Sequence, residues 1–241
     1  MRVRLRTPDT GEVKEMIVQR DVMPTMMYSA RSRMGSLKDI SPNRAVYYDS
    51  GLSITMPQSM GDVWCLNNAA RSCRNLEGDI AEAGVYYGST ARLLMRFFDG
   101  TNKTIHLFDT FDTMPPAGEN DIAEYWHPKT GLSVERVLAL LQDYNRAGLV
   151  RTYKGLFKDT LHNVSDKKFC FVHIDCDLYG GCRDALEFFY PRVVQGGAIL
   201  IHDYDTTAFP GILKAVDEFF AYKSDLRVSN RYGFHHVVVK R

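Results

Sequence analysis

A doubly wound α/β domain on a mainly parallel sheet is the fold that this 241-residue sequence predicts. From Gly61 onward, short apolar runs alternate with segments of helical period, the pattern of strands joined by right-handed helical crossovers. Most of those runs stop at an acidic or imidazole residue. The composition, 45% hydrophobic and 24% charged, is that of an ordinary globular domain rather than a disordered, collagenous or membrane chain.

Residues 1–60 read as an N-terminal extension and residues 61–241 as the domain itself. The extension is rich in Arg, Met, Ser and Pro, shows no sustained period and contains the breakers Pro24, Pro42 and Pro57. A lid, an oligomer arm and a tail all agree with such a segment. The domain opens with a helix over 62–76, a buried strand over 79–84, an amphipathic helix over 89–98 and a strand over 104–109. A long loop with Pro115, Pro116 and Pro128 follows, then a helix over 133–147 with Ser133 as its N-cap. Loops of that length inside compact domains tend to be functional covers. Strands over 150–154 and 168–175, a helix over 181–193, an apolar run (AILI) leading into HDYD, and a helix over 209–222 come next. Two closing strands, 226–229 and 234–239, can pair antiparallel.

Charge and cysteine usage narrow the function. Thirty basic residues against 29 acidic ones leave a formal charge of +1, without the positive field that nucleic-acid binding relies on. Cys65, Cys73, Cys170, Cys176 and Cys182 form neither an even set nor a CxxC pair, so neither a disulfide framework nor a thiolate zinc site is expected. They read as reduced cytoplasmic thiols. The first residues lack the apolar core of a signal peptide, and no run approaches the ~18 apolar residues of a membrane helix. A cytoplasmic protein without membrane or nucleic-acid partners is the expectation.

In open α/β sheets, ligands bind beyond the carboxyl ends of the strands, where strand order reverses. The ends here are Glu82-Ala-Gly84, Asp109, His173-Ile-Asp175-Cys-Asp177 and His202-Asp203-Tyr-Asp205. The turn from Glu82 through Gly84 and Gly88 to Ser89 leads into a helix whose first N–H groups and positive dipole end suit a carboxylate as well as a phosphate. Its spacing is not GxGxxG, against a dinucleotide site, and a plain tight turn would use the same glycines. Asp109, about 25 residues on, stands where an acidic group commonly holds ribose hydroxyls, although a turn cap fits there too. Asp175 and Asp177 alternate along the strand and share a side. Asp175, Asp203 and His202 can therefore converge on one divalent cation: carboxylate and water ligands favour magnesium or manganese, and an imidazole tilts the choice toward manganese. Capping of the following turn is the structural alternative for Asp203 and Asp205. His173 is more often a packed core group than a base, and His235 and His236 read as structural.

Eight ordered segments between Cys73 and Phe220 resemble the macrocin O-methyltransferase family, metal-dependent enzymes that methylate sugar hydroxyls of macrolide and aminocoumarin natural products. They are GDIAEAGVYYGSTA (78–91), HLFDTFDTMP (106–115), the helix with Ser133 and Val137, YKGLFKDTL (153–161), HIDCDLY (173–179), DALEFFYPRVVQGG (184–197), IHDY (201–204) and KAVDEF (214–219). The resemblance implies the Rossmann-like class I methyltransferase fold, a seven-stranded sheet with its last strand antiparallel. It further implies S-adenosylmethionine and Mg2+ or Mn2+ as cofactors, a hydroxylated small molecule as acceptor, and a homo-oligomer. On the same ground Glu82, Gly84, Gly88 and Ser89 line the methionine end of the cofactor, Asp109 holds the ribose, and Gly155 and Phe157 lie by the adenine. Asp175 and Asp203 bind the metal and Asp177 is the general base. His202 departs from the family's Asp-Asp-Tyr, bringing a possible ligand without negative charge, and Leu156 replaces a tryptophan common on the adenine side. The extension and the 112–132 loop would cover the site.

Overall fold

A computed structural model describes residues 60–123, 131–229 and 235–241, together with the backbone of five short strands before residue 57. In the N-terminal segment, β1 (Arg2–Arg6) pairs antiparallel with β2 (Val13–Ile17), while β3 (Leu37–Ser41), β4 (Arg44–Asp49) and β5 (Leu52–Met56) form a second antiparallel sheet. The sequence reading found no elements there. Strands of five or six residues between breakers are too short to establish a period, although Val46, Tyr47, Tyr48, Ile54 and Thr55 are residue types that favour a pleated surface. Whether the segment covers the site depends on side chains outside the described residues.

The domain proper runs α1 (Met60–Ser72), β6 (Asp79–Ala83), α2 (Ser89–Phe97), β7 (Ile105–Asp109), α3 (Val134–Leu140), α4 (Gln142–Arg146), β8 (Val150–Lys154), α5 (Phe157–Thr160), β9 (Phe169–Ile174), α6 (Tyr179–Phe189), β10 (Val193–Ile201), α7 (Pro210–Phe220), β11 (Leu226–Ser229) and β12 (His236–Val239). Seven strands form one sheet in the order β11-β12-β10-β9-β6-β7-β8. Both pairings of β12 are antiparallel and the others parallel, so β12 alone runs against the sheet. This is the doubly wound fold with the antiparallel strand that the sequence implied. From β6 the chain proceeds outward through β7 and β8, then returns to β9 on the other side of β6; the reversal lies between β6 and β9.

Burial on both faces explains the strand sequences. All six residues of β9 are buried, as a central parallel strand requires. Successive side chains serve opposite cores: Phe171 and Leu200 pack with Leu66, Leu94 and Phe98 beneath α1 and α2, whereas Val172 and Ile201 pack with Leu186, Phe189 and Phe220 beneath α6 and α7. The helix expected over 133–147 is two helices. Ser133 does cap the first, accepting from the Arg136 N–H at 3.2 Å, but buried Leu141 (φ −99°, ψ 19°) breaks the regular turn as its side chain packs into the core. Residues 124–130 of the long loop lie outside the described residues. No described helix is long and apolar enough to cross a membrane, and all five cysteines are free thiols.

Gly84 sits where β6 and β9 come closest. Its φ is +89°, and a Cβ there would overlap the Asp175 carbonyl. Gly84→Ala is expected to cost at least ~2 kcal/mol and to lower Tm by at least roughly 4 °C, read by thermal denaturation. Gly180→Ala, whose added Cβ meets nothing within 4 Å inside α6, should be neutral or stabilising.

Candidate active site

Three central strands end level. Ala83 pairs with Ile174, and Ile174 with Ile201. The ladder continues one residue further, with the Asp175 N–H donating to Ala83 O and the His202 N–H donating to Ile174 O, each at 2.8 Å. Gly84, Asp175 and His202 therefore stand side by side at the carboxyl edge, on the wall of a cavity of about 770 Å³. That volume is in the upper part of the roughly 300–1,000 Å³ range of ligand sites, enough for a cofactor with a second molecule.

Most of the sequence-predicted residues reach this cavity. Gly84, Ser89, Asp109, Gly155, Phe157, Asp175, Asp177, His202 and Asp203 line it. Asp109 fastens the glycine turn: its Oδ2 accepts from the Val85 and Tyr86 N–H groups at 2.7 and 3.0 Å, and its Oδ1 from the Phe111 N–H at 2.8 Å. Two expected wall residues stand elsewhere. Gly88 is absent from the wall; it precedes α2 with φ +83°, and an added Cβ would press within 3.1 Å of Val137 Cγ1, so its smallness lets α2 meet α3. Glu82 is buried behind the turn, 1% exposed, because its place inside β6 turns it against His173 of β9 rather than toward the cavity.

Three donors converge beside the turn. His202 Nδ1 lies 3.1 Å from Asp175 Oδ1 and 3.0 Å from Asp203 Oδ2, and one ligand atom from each residue falls within 4.8 Å of the others. Adjacent ligands about 3 Å apart are what an ion with ~2.1 Å bonds in octahedral geometry requires, so the set fits a small divalent cation. Burial opposes charge on His202, yet the Asp175 and Asp203 carboxylates outweigh it and hold the imidazole well above its ordinary range. Asp175 is correspondingly lowered: burial raises it, but the His202 charge and hydrogen bond prevail. Without a metal, then, the imidazolium occupies the cationic role between two carboxylates. Asp177 (φ +64°), Asp203 (φ +60°) and Tyr86 (φ +52°), all on the cavity wall, adopt left-handed backbone that costs about 1–3 kcal/mol per residue, strain that collects at functional sites.

Behind the wall lies a buried polar layer. His173 Nδ1 is 3.0 Å from Glu82 Oε1. Burial, reinforced by the charges of Asp175 and Asp109, pushes the Glu82 carboxyl well up, and burial pulls His173 down to about 4. Both shifts favour the uncharged forms of the pair. His235, 1% exposed, is likewise lowered to about 4 by burial; its ring centre lies 4.8 Å from that of His202 and its Nδ1 3.2 Å from Asp62 Oδ1. Sequence reading missed Asp62, which looked like an ordinary acidic residue in a first helical turn. It also missed Asp121, whose Oδ1 accepts from the Tyr179 N–H at 2.8 Å and whose Oδ2 accepts from the Gly118 N–H at 2.9 Å, pinning the loop over the cavity. Nothing in the spacing signals a contact made 58 positions away.

Comparison with known proteins decides the family. Residues 60–227, more than half of the chain, match the macrocin-O-methyltransferase (TylF) family. The chain belongs to that family. Within it, the chain is 31% identical over 138 residues to the 8-demethyl-8-(2,3-dimethoxy-alpha-L-rhamnosyl)-tetracenomycin-C 4'-O-methyltransferase of Streptomyces olivaceus, a match covering 53% of each protein. It is 29% identical over 173 residues to the mycinamicin III 3''-O-methyltransferase of Micromonospora griseorubida, covering 64% of each. The chain thus spans between about half and just under two thirds of the length of these curated relatives. Among solved structures, the O-methyltransferase NovP superposes with a TM-score of 0.65 at 25% identity, over 77% of this chain and 82% of that one.

The buried histidines set an acid limit on the macrocin-O-methyltransferase domain. His173 and His235 have folded values near 4 against an ordinary 6.5. Below 6.5 the unfolded chain takes up protons that the folded chain refuses, so their contribution is complete above pH 6.5 and is lost as pH falls toward 4. Urea denaturation should show stability falling with acidification, these two groups contributing a slope of up to ~2.7 kcal/mol per pH unit and the raised Glu82 carboxyl opposing it by up to ~1.4. His235→Gln should flatten that slope; an unchanged slope removes His235 from the account.

Proposed function

We propose that the protein is an S-adenosylmethionine-dependent, divalent-metal-dependent O-methyltransferase acting on a hydroxyl of a small molecule, a glycoside in the first instance. The observation that carries this reading is the convergence of Asp175, His202 and Asp203 beside the Gly84 turn on one cavity wall. The family match supports methyl transfer, and the Streptomyces olivaceus relative acts, by its printed name, on a rhamnosyl-bearing tetracenomycin.

In this reading each residue has a physical task. The Gly84 to Ser89 turn brings backbone and the first turn of α2 against the donor, where N–H groups and the dipole receive its carboxylate. Asp109 holds that turn in place while facing the cavity at the ribose, and Gly155 and Phe157 flank the adenine. Asp175, Asp203 and His202 hold the cation, and Asp177 accepts the proton of the acceptor hydroxyl. When bound, the sulfonium donor supplies the activated methyl group and the cation lowers the acceptor hydroxyl's pKa. The chain's larger task is alignment: fixing the acceptor oxygen in line with methyl carbon and sulfur.

A second reading has its own observation. His202 Nδ1 already lies between the two carboxylates, and a protonated imidazole there would serve a metal-independent methyltransferase. Chelation separates the two. Dialysis against EDTA should abolish methyl transfer, with Mn2+ or Mg2+ restoring it; activity unchanged by EDTA selects the second reading. Asp177→Asn should lower kcat by roughly 10²–10⁴-fold, while calorimetric affinity for S-adenosylhomocysteine stays the same. Full activity in that variant at saturating metal removes Asp177 as the base.

A further inference from the structure

A second donor group lies beneath the one that faces the cavity. Asp62 in the first turn of α1 is 2% exposed, and His235 just before β12 is 1% exposed. Together with His202 they offer three ligand atoms within 4.8 Å of one another. Neither Asp62 nor His235 takes part in the reaction proposed above.

The nitrogens of this group are in an unusual state. Both ring nitrogens of His235, and Nε2 of His202, are buried without a hydrogen-bond partner among the described residues. Native interiors rarely leave such groups unsatisfied unless an ion or water completes them. Asp62 Oδ1 lies 3.2 Å from His235 Nδ1. That separation is close to the ~3.3 Å between adjacent ligands of a tetrahedral ion with ~2.0 Å bonds.

His202 adds an independent argument through its other nitrogen. A histidine that ligates a metal usually donates its remaining ring N–H to a carboxylate, which fixes the ring and its tautomer. His202 Nδ1 faces Asp175 Oδ1 at 3.1 Å and Asp203 Oδ2 at 3.0 Å, leaving Nε2 for the inner group. Two imidazoles and one carboxylate suit a borderline ion such as zinc, whereas the two carboxylates facing the cavity suit a hard one.

We propose that Asp62, His202 and His235 form an inner cation site selective for a first-row transition metal, with zinc as its first candidate. Its ion would join α1, the end of β10 and the start of β12. With zinc bound inside, His202 no longer ligates the outer cation as in the reading above; it serves the outer set as a hydrogen-bond donor through Nδ1, and Asp175 and Asp203 hold that cation. This site does not depend on the methyltransferase reading.

X-ray absorption on the full-length protein, chelator-stripped, zinc-loaded and desalted, tests the proposal without any variant. The expected result is about one retained zinc with at least two imidazole ligands. Zero or one imidazole assigns the ion to the outer set or to the surface and overturns the proposal, as does loss of all zinc on desalting. As a second measurement, His235→Gln and Asp62→Asn should each weaken zinc affinity at least ~10-fold and remove the zinc-dependent rise in Tm. Affinity unchanged in both variants overturns the assignment, and if neither variant folds, the ligand count on the natural chain still decides it.

Discussion

The site rests on the close approach of β6 to β9. Because the two strands run parallel and level, the residue after each strand emerges at the same height, and β10 extends that edge by one more position. Only a residue without a side chain fits at Gly84 against the Asp175 carbonyl. A bulkier residue would part the strands and separate the glycine turn from the donors on β9 and β10. Asp109 then fixes the turn from the other side, through backbone N–H groups. One neighbouring strand thus sets how near the turn comes, and the other sets its shape.

The polar layer behind this edge divides by charge. Burial favours the uncharged forms of Glu82 and His173, which share one hydrogen bond between Oε1 and Nδ1. In the outer trio, where part of the wall still meets solvent, Asp175 is held low and His202 high by their mutual attraction. The gradient from neutral interior to ionised rim locates charge where a cation and an acidic hydroxyl would be handled.

Much of this was legible in the order of residue types. Alternating apolar runs and helical periods sufficed for the sheet, because a central parallel strand such as β9 must be apolar throughout. Strand-end residues were legible for the same reason: the fold exposes only that edge to a ligand. What could not be read were contacts made by long-range closure. The approach of His235 to Asp62 joins the first helix of the domain to its last strand, and each residue alone has an ordinary local explanation. The short strands before residue 57 escaped because they are antiparallel pieces too brief to declare a period. The break at Leu141 escaped because neither glycine nor proline marks it; core packing of a leucine does.

Asp121 couples the roof of the cavity to its floor. Its carboxylate receives the Tyr179 N–H at the first turn of α6, the helix that follows directly on the segment carrying Asp175 and Asp177. The same carboxylate receives the Gly118 N–H, so the loop turn and the helix start share one anchor. One carboxylate, itself on the cavity wall, therefore holds the loop and the segment carrying Asp175 and Asp177 in a fixed relation.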